Sequence, residues 1–258
     1  MIYLKWFFSD PNWGDAIAPT LAARIMGVPE DQVKHTMHGS EQGRKHFMII
    51  GSILQLAAPE AIVWGCGYIA PNVEIPHGKP DIRAVRGPHT REKLLKQGHK
   101  CPPVYGDPAL LVPRYFKGER SEQYNLGIIP HYVDKNSKWV AQFKDREDIN
   151  IIDIQALPVQ TVIDEALKCN NIISSSLHGV ILGDSYGIPS YHVVLSNKVF
   201  GGGFKFKDYY ASVGREYDPY IIEEDTTFKD IFTTVKEYEI DLEPVLDKLM
   251  KACPLPRK

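Results

Sequence analysis

The stretch Asn171-Ile-Ile-Ser-Ser-Ser-Leu-His-Gly-Val-Ile-Leu-Gly-Asp-Ser-Tyr186 decides the fold that the sequence predicts. Its first four residues contain a short apolar run of the kind found in buried strands, and residues 177–186 have the apolar spacing of a helix. Residues 191–195 then predict another strand. A strand, a helix and a strand in this order are typical of parallel strands whose sheet is covered by helices.

The same alternation extends along the chain in both directions. Further strands are predicted at residues 1–8, 47–50, 61–64, 82–85, 126–129 and 149–154, and further helices at 16–26, 89–97, 159–169 and within 227–252. The polar segment 112–123, which contains Pro113 and Gly118, separates two such sets and is predicted to be a linker. We therefore predict an α/β protein with two Rossmann-like domains, residues 1–115 and 123–258, the second including the C-terminal helices.

The composition indicates a soluble globular protein. Of its 258 residues, 43 % are hydrophobic and 24 % are charged, which are ordinary proportions for such proteins. Lys and Arg number 30 against 32 for Asp and Glu, so the formal net charge is −2 at pH 7. Because binding along nucleic acid needs a basic face, we expect no nucleic-acid partner, although a local anion site is compatible with this balance.

Signals for membrane insertion and secretion do not occur in the sequence. It has no run of about 18 apolar residues, and the apolar run near Met1 is too short for a signal peptide. The four cysteines, Cys66, Cys101, Cys169 and Cys253, include no CxxC pair. Scattered single cysteines are typical of buried thiols in a reducing compartment, so we expect a cytoplasmic protein.

Two patterns match known motifs but lack the context those motifs need. Gly65-Cys-Gly67-Tyr-Ile-Ala70 fits a dinucleotide pattern, yet Pro71 follows where that motif would open a helix. Gly183-Asp-Ser185-Tyr-Gly187 fits a hydrolase nucleophile elbow, yet a helical pattern precedes it and no acid separates it from His192. We therefore expect neither a dinucleotide cofactor nor a serine hydrolase. The lack of an Asp-x-Asp pair also argues against a metal-dependent glycosyltransferase.

Polar and charged residues collect where the predicted strands end. They are Asn12, Ser52, Arg86, His131 and residues 174–178. The carboxyl ends of parallel strands meet at one edge of a sheet, and ligands of doubly wound proteins bind there. With two domains of this kind, we expect an active cleft between the two edges.

Seven strings at or near these strand ends carry a resemblance. They are Asn12-Trp-Gly-Asp15, Gly51-Ser-Ile-Leu54, Trp64-Gly-Cys-Gly-Tyr68, Val85-Arg-Gly-Pro-His-Thr90, Gly106-Asp-Pro-Ala-Leu-Leu111, Ile129-Pro-His131 and Ser174-Ser-Ser-Leu-His-Gly-Val-Ile181. By their order and spacing the chain resembles the polysaccharide pyruvyl transferase family, most closely the bacterial exopolysaccharide ketal-pyruvate transferases. The similarity covers residues 1–195.

The resemblance implies two Rossmann-like domains in a glycosyltransferase-B-like arrangement. It also implies phosphoenolpyruvate (PEP) as donor, a sugar of a polysaccharide repeat as acceptor, and release of phosphate when the pyruvate ketal forms. Neither a cofactor nor a metal is required. In the family, a basic residue of the first domain and an Arg-Leu-His string of the second hold PEP. Arg86 matches the former and Leu177-His178 the latter, but Ser176 stands where the family has arginine.

The residue types suit the steps of this chemistry. His178 would be the general acid and base, because histidine titrates near the working pH, and Arg86 would hold the donor's anions. Since Ser176 cannot make the bidentate contacts of arginine, we expect another cation nearby. The candidates, on either side of Gly201-Gly-Gly203, are Lys198, Lys205 and Lys207. The other predicted substrate-binding residues are Asn12, Asp15, Ser52, His131, Ser174, Ser176 and Leu177.

Structural roles compete with some of these assignments. Asn12 and Asp15 are residue types that cap helices, so they can serve the first helix, a ligand or both. Arg86 can pair with a surface carboxylate. The aromatic residues Trp13, Trp64 and Tyr68 can stack on a sugar ring, although aromatic side chains more commonly pack in the core.

Two other functions fit the same architecture. A glycosyltransferase that uses a nucleotide sugar would need acidic residues at the ribose, for which Glu223-Glu-Asp225 is the candidate string. A non-catalytic member would bind saccharide and assist assembly, and Ser176 keeps that alternative open. A lipid-linked acceptor would bring the protein transiently to the inner membrane face, although no strongly basic amphipathic helix is present. The oligomeric state does not follow from the sequence.

Overall fold

The computed structural model describes residues 1–10, 12–36, 43–234 and 238–257 of the chain. These residues form two compact units. Unit 1 comprises Met1–Tyr115, Gly201–Glu216 and Asp241–Lys258, and unit 2 comprises Phe116–Phe200 and Tyr217–Ile240. None of the helices in the described ranges is both long enough and apolar enough to cross a lipid bilayer.

Strands and helices alternate along the described residues. The strands are β1 (Ile2–Leu4), β2 (Val33–His35), β3 (His46–Met48), β4 (Ala61–Trp64), β5 (Asp81–Ala84), β6 (Tyr124–Ile129), β7 (Ile149–Ile151), β8 (Cys169–Ser174), β9 (Ser190–Val194) and β10 (Tyr220–Ile221). The α-helices are α1 (Trp13–Met26), α2 (Pro88–Lys96), α3 (Val112–Tyr115), α4 (Lys138–Ala141), α5 (Val159–Leu167), α6 (Leu177–Ser185), α7 (Phe204–Ser212), α8 (Phe228–Thr234) and α9 (Glu243–Lys251). Short 3-10 helices occupy Glu30–Gln32, Leu54–Leu56 and Pro108–Leu111.

The two units contain five-stranded sheets of the same topology. The strand order is β2-β1-β3-β4-β5 in unit 1 and β7-β6-β8-β9-β10 in unit 2. All neighbouring strands run parallel. Counted from its own first strand, each sheet has the order 2-1-3-4-5 of the flavodoxin-like doubly wound fold. The predicted α/β class is therefore confirmed, and the chain order reverses between β1 and β3 and between β6 and β8.

Burial explains why the central strands were recognisable in the sequence. Strand β4 is buried at all four positions, and Ile128 and Ile173, on the neighbouring strands β6 and β8, are fully buried. Strands of a parallel sheet are covered on both faces and therefore have nearly continuous apolar sequences. The short edge strands β2 and β10 lack such runs and were not predicted.

The first part of the segment predicted to be a linker belongs to the fold. Helix α3 begins at Val112, and Val112 and Phe116 are both buried. Within the predicted linker, the exposed residues are Pro113, Arg114 and the run 117–123. The prediction of a linker from residue 112 was therefore wrong, because the apolar positions 112 and 116 pack into the core although Pro113 and Arg114 lie between them.

Two segments from the second half of the chain complete unit 1. They are α7 and the C-terminal segment with α9, which the division at residues 115 and 123 had placed in the second domain. The indole N–H of Trp64 donates to the carbonyl of Leu249 at 2.8 Å, and Leu249 is fully buried. Helix α9 thus covers apolar surface of unit 1. The glycosyltransferase-B-like arrangement stays a prediction.

Candidate active-site residues

In unit 2, β8 leads into α6 at the point where the strand order reverses. Ser176 is the N-cap of α6, its side chain makes no capping hydrogen bond, and His178 is the second residue of the helix. His178 is buried, with 5 % of its surface exposed. Ligands of doubly wound sheets bind at this position, and the N–H groups of a helix N-terminus favour anions.

Ser174 shapes the turn between β8 and α6. Its hydroxyl donates to the carbonyl of Ile129 at 2.6 Å and accepts the N–H of Ser176 at 2.9 Å. A Cβ at Gly179 would lie 2.2 Å from the Ser174 hydroxyl, so only glycine fits beside it. Ser174 is fully buried. The hydroxyl that we expected at a ligand is therefore held inside the turn.

A buried carboxylate, Asp134, connects the loops at the carboxyl edge of the second sheet. It accepts the hydroxyl of Ser175, from the loop after β8, at 2.8 Å. It also accepts the hydroxyl of Ser196, from the loop after β9, at 2.5 Å. Asp134 itself follows β6, and its N–H donates to the carbonyl of His131 at 2.7 Å. Sequence reasoning missed Asp134 and Ser196, because these contacts join loops far apart in the chain.

His131 lies in the same group of loops. Its backbone N–H donates to the Ser175 hydroxyl at 2.9 Å, and its Nδ1 accepts the N–H of Val133 at 3.3 Å. In this structure His131 is thus buried and oriented by its own loop, beside the turn that carries His178.

In unit 1, the Arg86 guanidinium is fully buried and joins the ends of several strands. Its Nη1 donates to the Ser52 hydroxyl at 2.7 Å, and its Nη2 donates to the Tyr68 carbonyl at 2.7 Å. Its Nε donates to Asp208 at 3.2 Å, and both side chains of this ion pair are fully buried. Arg86 does pair with a carboxylate, as the structural alternative predicted. The prediction that this carboxylate lies on the surface was wrong, because Asp208 is an interior residue of α7.

Asn12 and Asp15 form a capping box at the start of α1. The Asn12 side chain accepts the N–H of Gly14 at 3.0 Å, and the Asp15 carboxylate accepts the N–H of Asn12 at 3.4 Å. The helix consequently begins at Trp13, three residues before the predicted start. Their predicted capping role is confirmed. Asp15 also lies beside Gly51, whose Cβ would be 3.4 Å from the carboxylate.

The three candidate lysines are distributed over both units. Lys198 is exposed in unit 2, whereas Lys205 and Lys207 lie on α7, which belongs to unit 1. Lys205 is buried and its Nζ lies 5.7 Å from the centre of the Phe206 ring. The lysines expected near Ser176 are therefore not grouped within unit 2.

The aromatic candidates and the discarded motifs are part of the structural framework. Trp13, Trp64 and Tyr68 are buried, and burial raises the pKa of Tyr68 to about 12. The Ser185 hydroxyl donates to the carbonyl of Leu182 at the end of α6, so it does not stand on a strand-to-helix elbow. Leu177, predicted to bind substrate, is also buried.

Taken by fold and site, the chain is a doubly wound α/β protein with polar groups at the carboxyl edges of two parallel sheets. A family model described as polysaccharide pyruvyl transferase matches residues 62–197. Because this match covers more than half of the chain, the chain belongs to the polysaccharide pyruvyl transferase family. Arg86, His131 and His178 lie within the matched residues, and Asp208 lies outside them.

Two relatives are each 29 % identical in sequence to the aligned part of the chain. The uncharacterized protein L143 of Acanthamoeba polyphaga mimivirus is 29 % identical over 226 residues, which cover 85 % of this chain and 77 % of that protein. The succinoglycan biosynthesis protein ExoV of Rhizobium meliloti (strain 1021) is 29 % identical over 181 residues. That match covers 66 % of this chain and 54 % of ExoV, so it spans about half of the ExoV protein.

Proposed function

We propose that the chain transfers the pyruvyl group of PEP to a sugar of an exopolysaccharide or of its lipid-linked repeat unit, forming a ketal and releasing phosphate. Membership of the family and the similarity to a succinoglycan biosynthesis protein support pyruvyl transfer in exopolysaccharide synthesis. The observation that carries the proposal is the position of His178, in the first turn of α6 at the switch point of the second sheet.

His178 supplies the proton chemistry in this proposal. Ketal formation requires a proton on the methylene carbon of PEP, which leaves an oxocarbenium-like centre at the neighbouring carbon. A sugar hydroxyl then attacks this carbon and passes its proton to a base, and phosphate leaves. A second hydroxyl closes the ring and loses its proton to the released phosphate. A histidine that gives one proton and takes another suits both steps.

The first turn of α6 supplies a place for negative charge. Its N-cap Ser176 leaves the N–H groups of the turn without a side-chain cap, and such groups stabilise phosphate or carboxylate. Since Ser176 stands at the family's arginine, these N–H groups and the exposed Lys198 of the same unit are the cationic or dipolar groups assigned to the donor.

Arg86 is assigned to the donor through the side of its guanidinium that faces Ser52. Ser52 is only half-buried, while Asp208 and the Tyr68 carbonyl anchor the other nitrogens from the interior. A donor anion would therefore replace or join the Ser52 hydroxyl at Nη1. In this proposal the donor meets charge-assisted hydrogen bonds without disturbing the buried ion pair.

The proposed partners are PEP and a saccharide acceptor, without nucleic acid. We further propose that the protein works at the cytoplasmic face of the membrane, where a lipid-linked acceptor would be presented. Glu223 and Glu224, which a nucleotide-sugar enzyme would use at the ribose, are exposed residues after the edge strand β10. No other polar contact described for unit 2 points to a nucleotide, so PEP is the preferred donor.

A thermal-shift titration of the full chain tests the donor. PEP, inorganic phosphate and a nucleotide sugar are titrated separately. A ligand at a hundredfold excess over its Kd stabilises by about 2.7 kcal/mol, which raises the melting temperature by several degrees for a chain of this size. We expect a larger shift with PEP than with phosphate and none with the nucleotide sugar. Stabilisation by the nucleotide sugar alone would contradict the proposal.

A further inference from the structure

The loops of unit 1 converge on one side chain. Arg86 lies two residues after the end of β5. Its Nη1 donates to Ser52, in the loop after β3, and its Nη2 donates to the carbonyl of Tyr68, in the loop after β4. A Cβ at Gly67 would lie 2.5 Å from the Arg86 Cζ, so the guanidinium packs directly on the backbone there. The orientation of Arg86 therefore sets the shape of this edge of the sheet.

Asp208 holds this guanidinium from the interior. Its carboxylate accepts the Arg86 Nε–H at 3.2 Å, the Thr90 hydroxyl at 2.6 Å and the Thr90 N–H at 2.8 Å. Arg86 and Asp208 are both fully buried. A buried charge that loses its partner is strongly disfavoured, so the two side chains constrain one another.

The same carboxylate caps α2. Gly87 is the N-cap of this helix and has no side chain with which to accept an N–H. Thr90 is the third residue of the helix, and its N–H is the group that an N-cap side chain normally binds. A Cβ at Gly87 would lie 1.9 Å from the Asp208 carbonyl oxygen. Asp208 therefore lies where an N-cap side chain would be and, from another part of the chain, accepts the N–H of Thr90 in its place.

A turn of three glycines brings Asp208 to this place. Gly201, Gly202 and Gly203 have φ values of 104°, 56° and 79°, in the region that favours glycine. A Cβ at Gly201 would lie 2.1 Å from the carbonyl oxygen of Ile69. The turn thus passes close to the loop after β4 and starts α7 at Phe204, four residues before Asp208.

We propose that Asp208 is a positioning residue for the donor: it holds Arg86 so that Nη1, on the side of Ser52, is presented to the negative charge of PEP. The inference rests on the pyruvyl transfer proposed above. Asp208 acts through Arg86 and does not itself meet the donor, because it is fully buried and its oxygens accept hydrogen bonds from Arg86 and Thr90.

Asp208→Asn tests this role with two readouts. The first is labelling of Arg86 by phenylglyoxal, followed by mass spectrometry of the peptide, which reports whether the guanidinium is still held inside. The second is the KM for PEP. Because the Arg86 side chain is fully buried and each of its nitrogens donates to a partner, we expect slow labelling in the wild type and faster labelling in the variant. We also expect KM to rise by about tenfold or more while kcat changes less. Asp208→Glu, which keeps the charge, should restore part of the affinity.

Two controls separate positioning from stability. Leu94→Ala removes a buried side chain of α2 that makes no hydrogen bond to Arg86 or Asp208, so it should lower the melting temperature with KM for PEP unchanged. Asp81→Asn breaks an exposed ion pair with Arg83, 2.7 Å long, and should change neither readout. If Asp208→Asn does not yield folded protein, Asp208→Glu is compared with the wild type instead, because its longer side chain moves the carboxylate. Faster labelling of Arg86 together with a higher KM for PEP supports the positioning role, and no change in either overturns it.

The outcomes distinguish this inference from the proposed function. Asp208→Asn with protected Arg86, or with an unchanged KM for PEP and only a lower melting temperature, overturns the positioning role. A wild-type chain that neither binds nor consumes PEP contradicts the proposed function. In that case the phenylglyoxal labelling still shows whether Asp208 holds Arg86. If Arg86 is labelled faster in the variant, Asp208 does hold Arg86, and only the assignment of PEP as the donor is refuted.

Discussion

His178 is the side chain on which the proton steps of the proposed reaction depend. His178→Gln keeps much of the volume at this buried position but cannot exchange protons near neutral pH. We expect kcat to fall about 10²–10⁴-fold, the usual contribution of a general acid or base, while the melting temperature changes little. Steady-state kinetics with PEP and thermal unfolding measure the two effects.

His89 offers a matched control for this substitution. It is also the second residue of a helix, α2, but it is exposed. His89→Gln should therefore leave both kcat and the melting temperature near their wild-type values. A His178→Gln variant that keeps wild-type turnover would contradict the assignment of the proton steps to His178. A wild-type chain that binds saccharide without any turnover would favour the non-catalytic alternative.

The buried thiols make a second prediction at the residue scale. Burial raises the pKa of Cys101 and of Cys169 to about 12, and it raises the pKa of Cys66 well above its usual value. At a given pH below the pKa, each increase of the pKa by one lowers the thiolate fraction about tenfold. Thiolate is the reactive form of the side chain. Iodoacetamide at pH 8 should therefore label these cysteines slowly in the native protein and quickly in urea.

Cys253 gives the comparison within the same sample. Burial raises its pKa as well, but the residue is only half-buried, so we expect it to react before the other three. Native labelling of Cys101 or Cys169 at the rate found in urea would contradict the burial described above.

At the residue scale, what could be predicted depended on how far apart the partners lie. Arg86 lies two residues after β5 and His178 four residues after β8, positions near strand ends that the local sequence reveals. Asp208 is separated from Arg86 by 122 residues, and Asp134 makes its contacts with serines 41 and 62 residues away. A pairing of that kind leaves no periodic pattern in the sequence, so both carboxylates were missed.

At the scale of elements, the start of α1 separates capping from ligand binding. Asn12→Ala removes the cap and should lower the free energy of unfolding by about 1 kcal/mol. Asn12→Asp retains an acceptor for the helix N–H groups and should restore most of that loss. Chemical denaturation measures both. If Asn12→Ala also abolishes the thermal shift caused by PEP, the residue serves a ligand in addition to the helix.

The elements that sequence patterns predicted well are the buried ones. The prediction for β4 coincides with the observed strand, and helices α2, α5 and α6 were predicted within one or two residues of their bounds. Helix α7 was not predicted, because it alternates charged and aromatic residues after a run of glycines that resembles a loop. Its Phe206, Tyr209 and Tyr210 are nevertheless buried.

At the scale of the whole molecule, α9 should contribute to the stability of unit 1. Leu249 is fully buried, and its side chain lies within 3.3 Å of where a Cβ of Gly106 would be. Leu249→Ala should lower the free energy of unfolding by about 2–5 kcal/mol, as for other large-to-small core substitutions. Urea unfolding of the full chain measures this change.

Leu95 is the control for that substitution, because it lies on α2 of the same unit and is 44 % exposed. Leu95→Ala should change the stability by about 0.5 kcal/mol or less. Equal effects of the two substitutions would mean that α9 does not stabilise unit 1.

Two parallel sheets covered by helices could be predicted from the whole sequence, because strands and helices alternate in two separate sets. The unit to which residues 201–216 and 241–257 belong could not be predicted, because nothing in their local sequence indicates which of the two sheets they pack against. Helix α9 shows its apolar face through Leu246 and Leu249, but the surface that this face covers is revealed only by the contact of Leu249 with Trp64.

The return of α7 and α9 to unit 1 has a consequence for synthesis on the ribosome. Residues 1–115 emerge early, yet the helix that pairs Arg86 and the helix that covers Trp64 emerge only after most of unit 2. At 5–20 residues per second, the nascent first sheet waits roughly 5–20 seconds for the partner of its interior charge and longer for the helix that covers its tryptophan. During that interval chaperones would meet the N-terminal half of the chain, although its own sequence contains all five strands of its sheet.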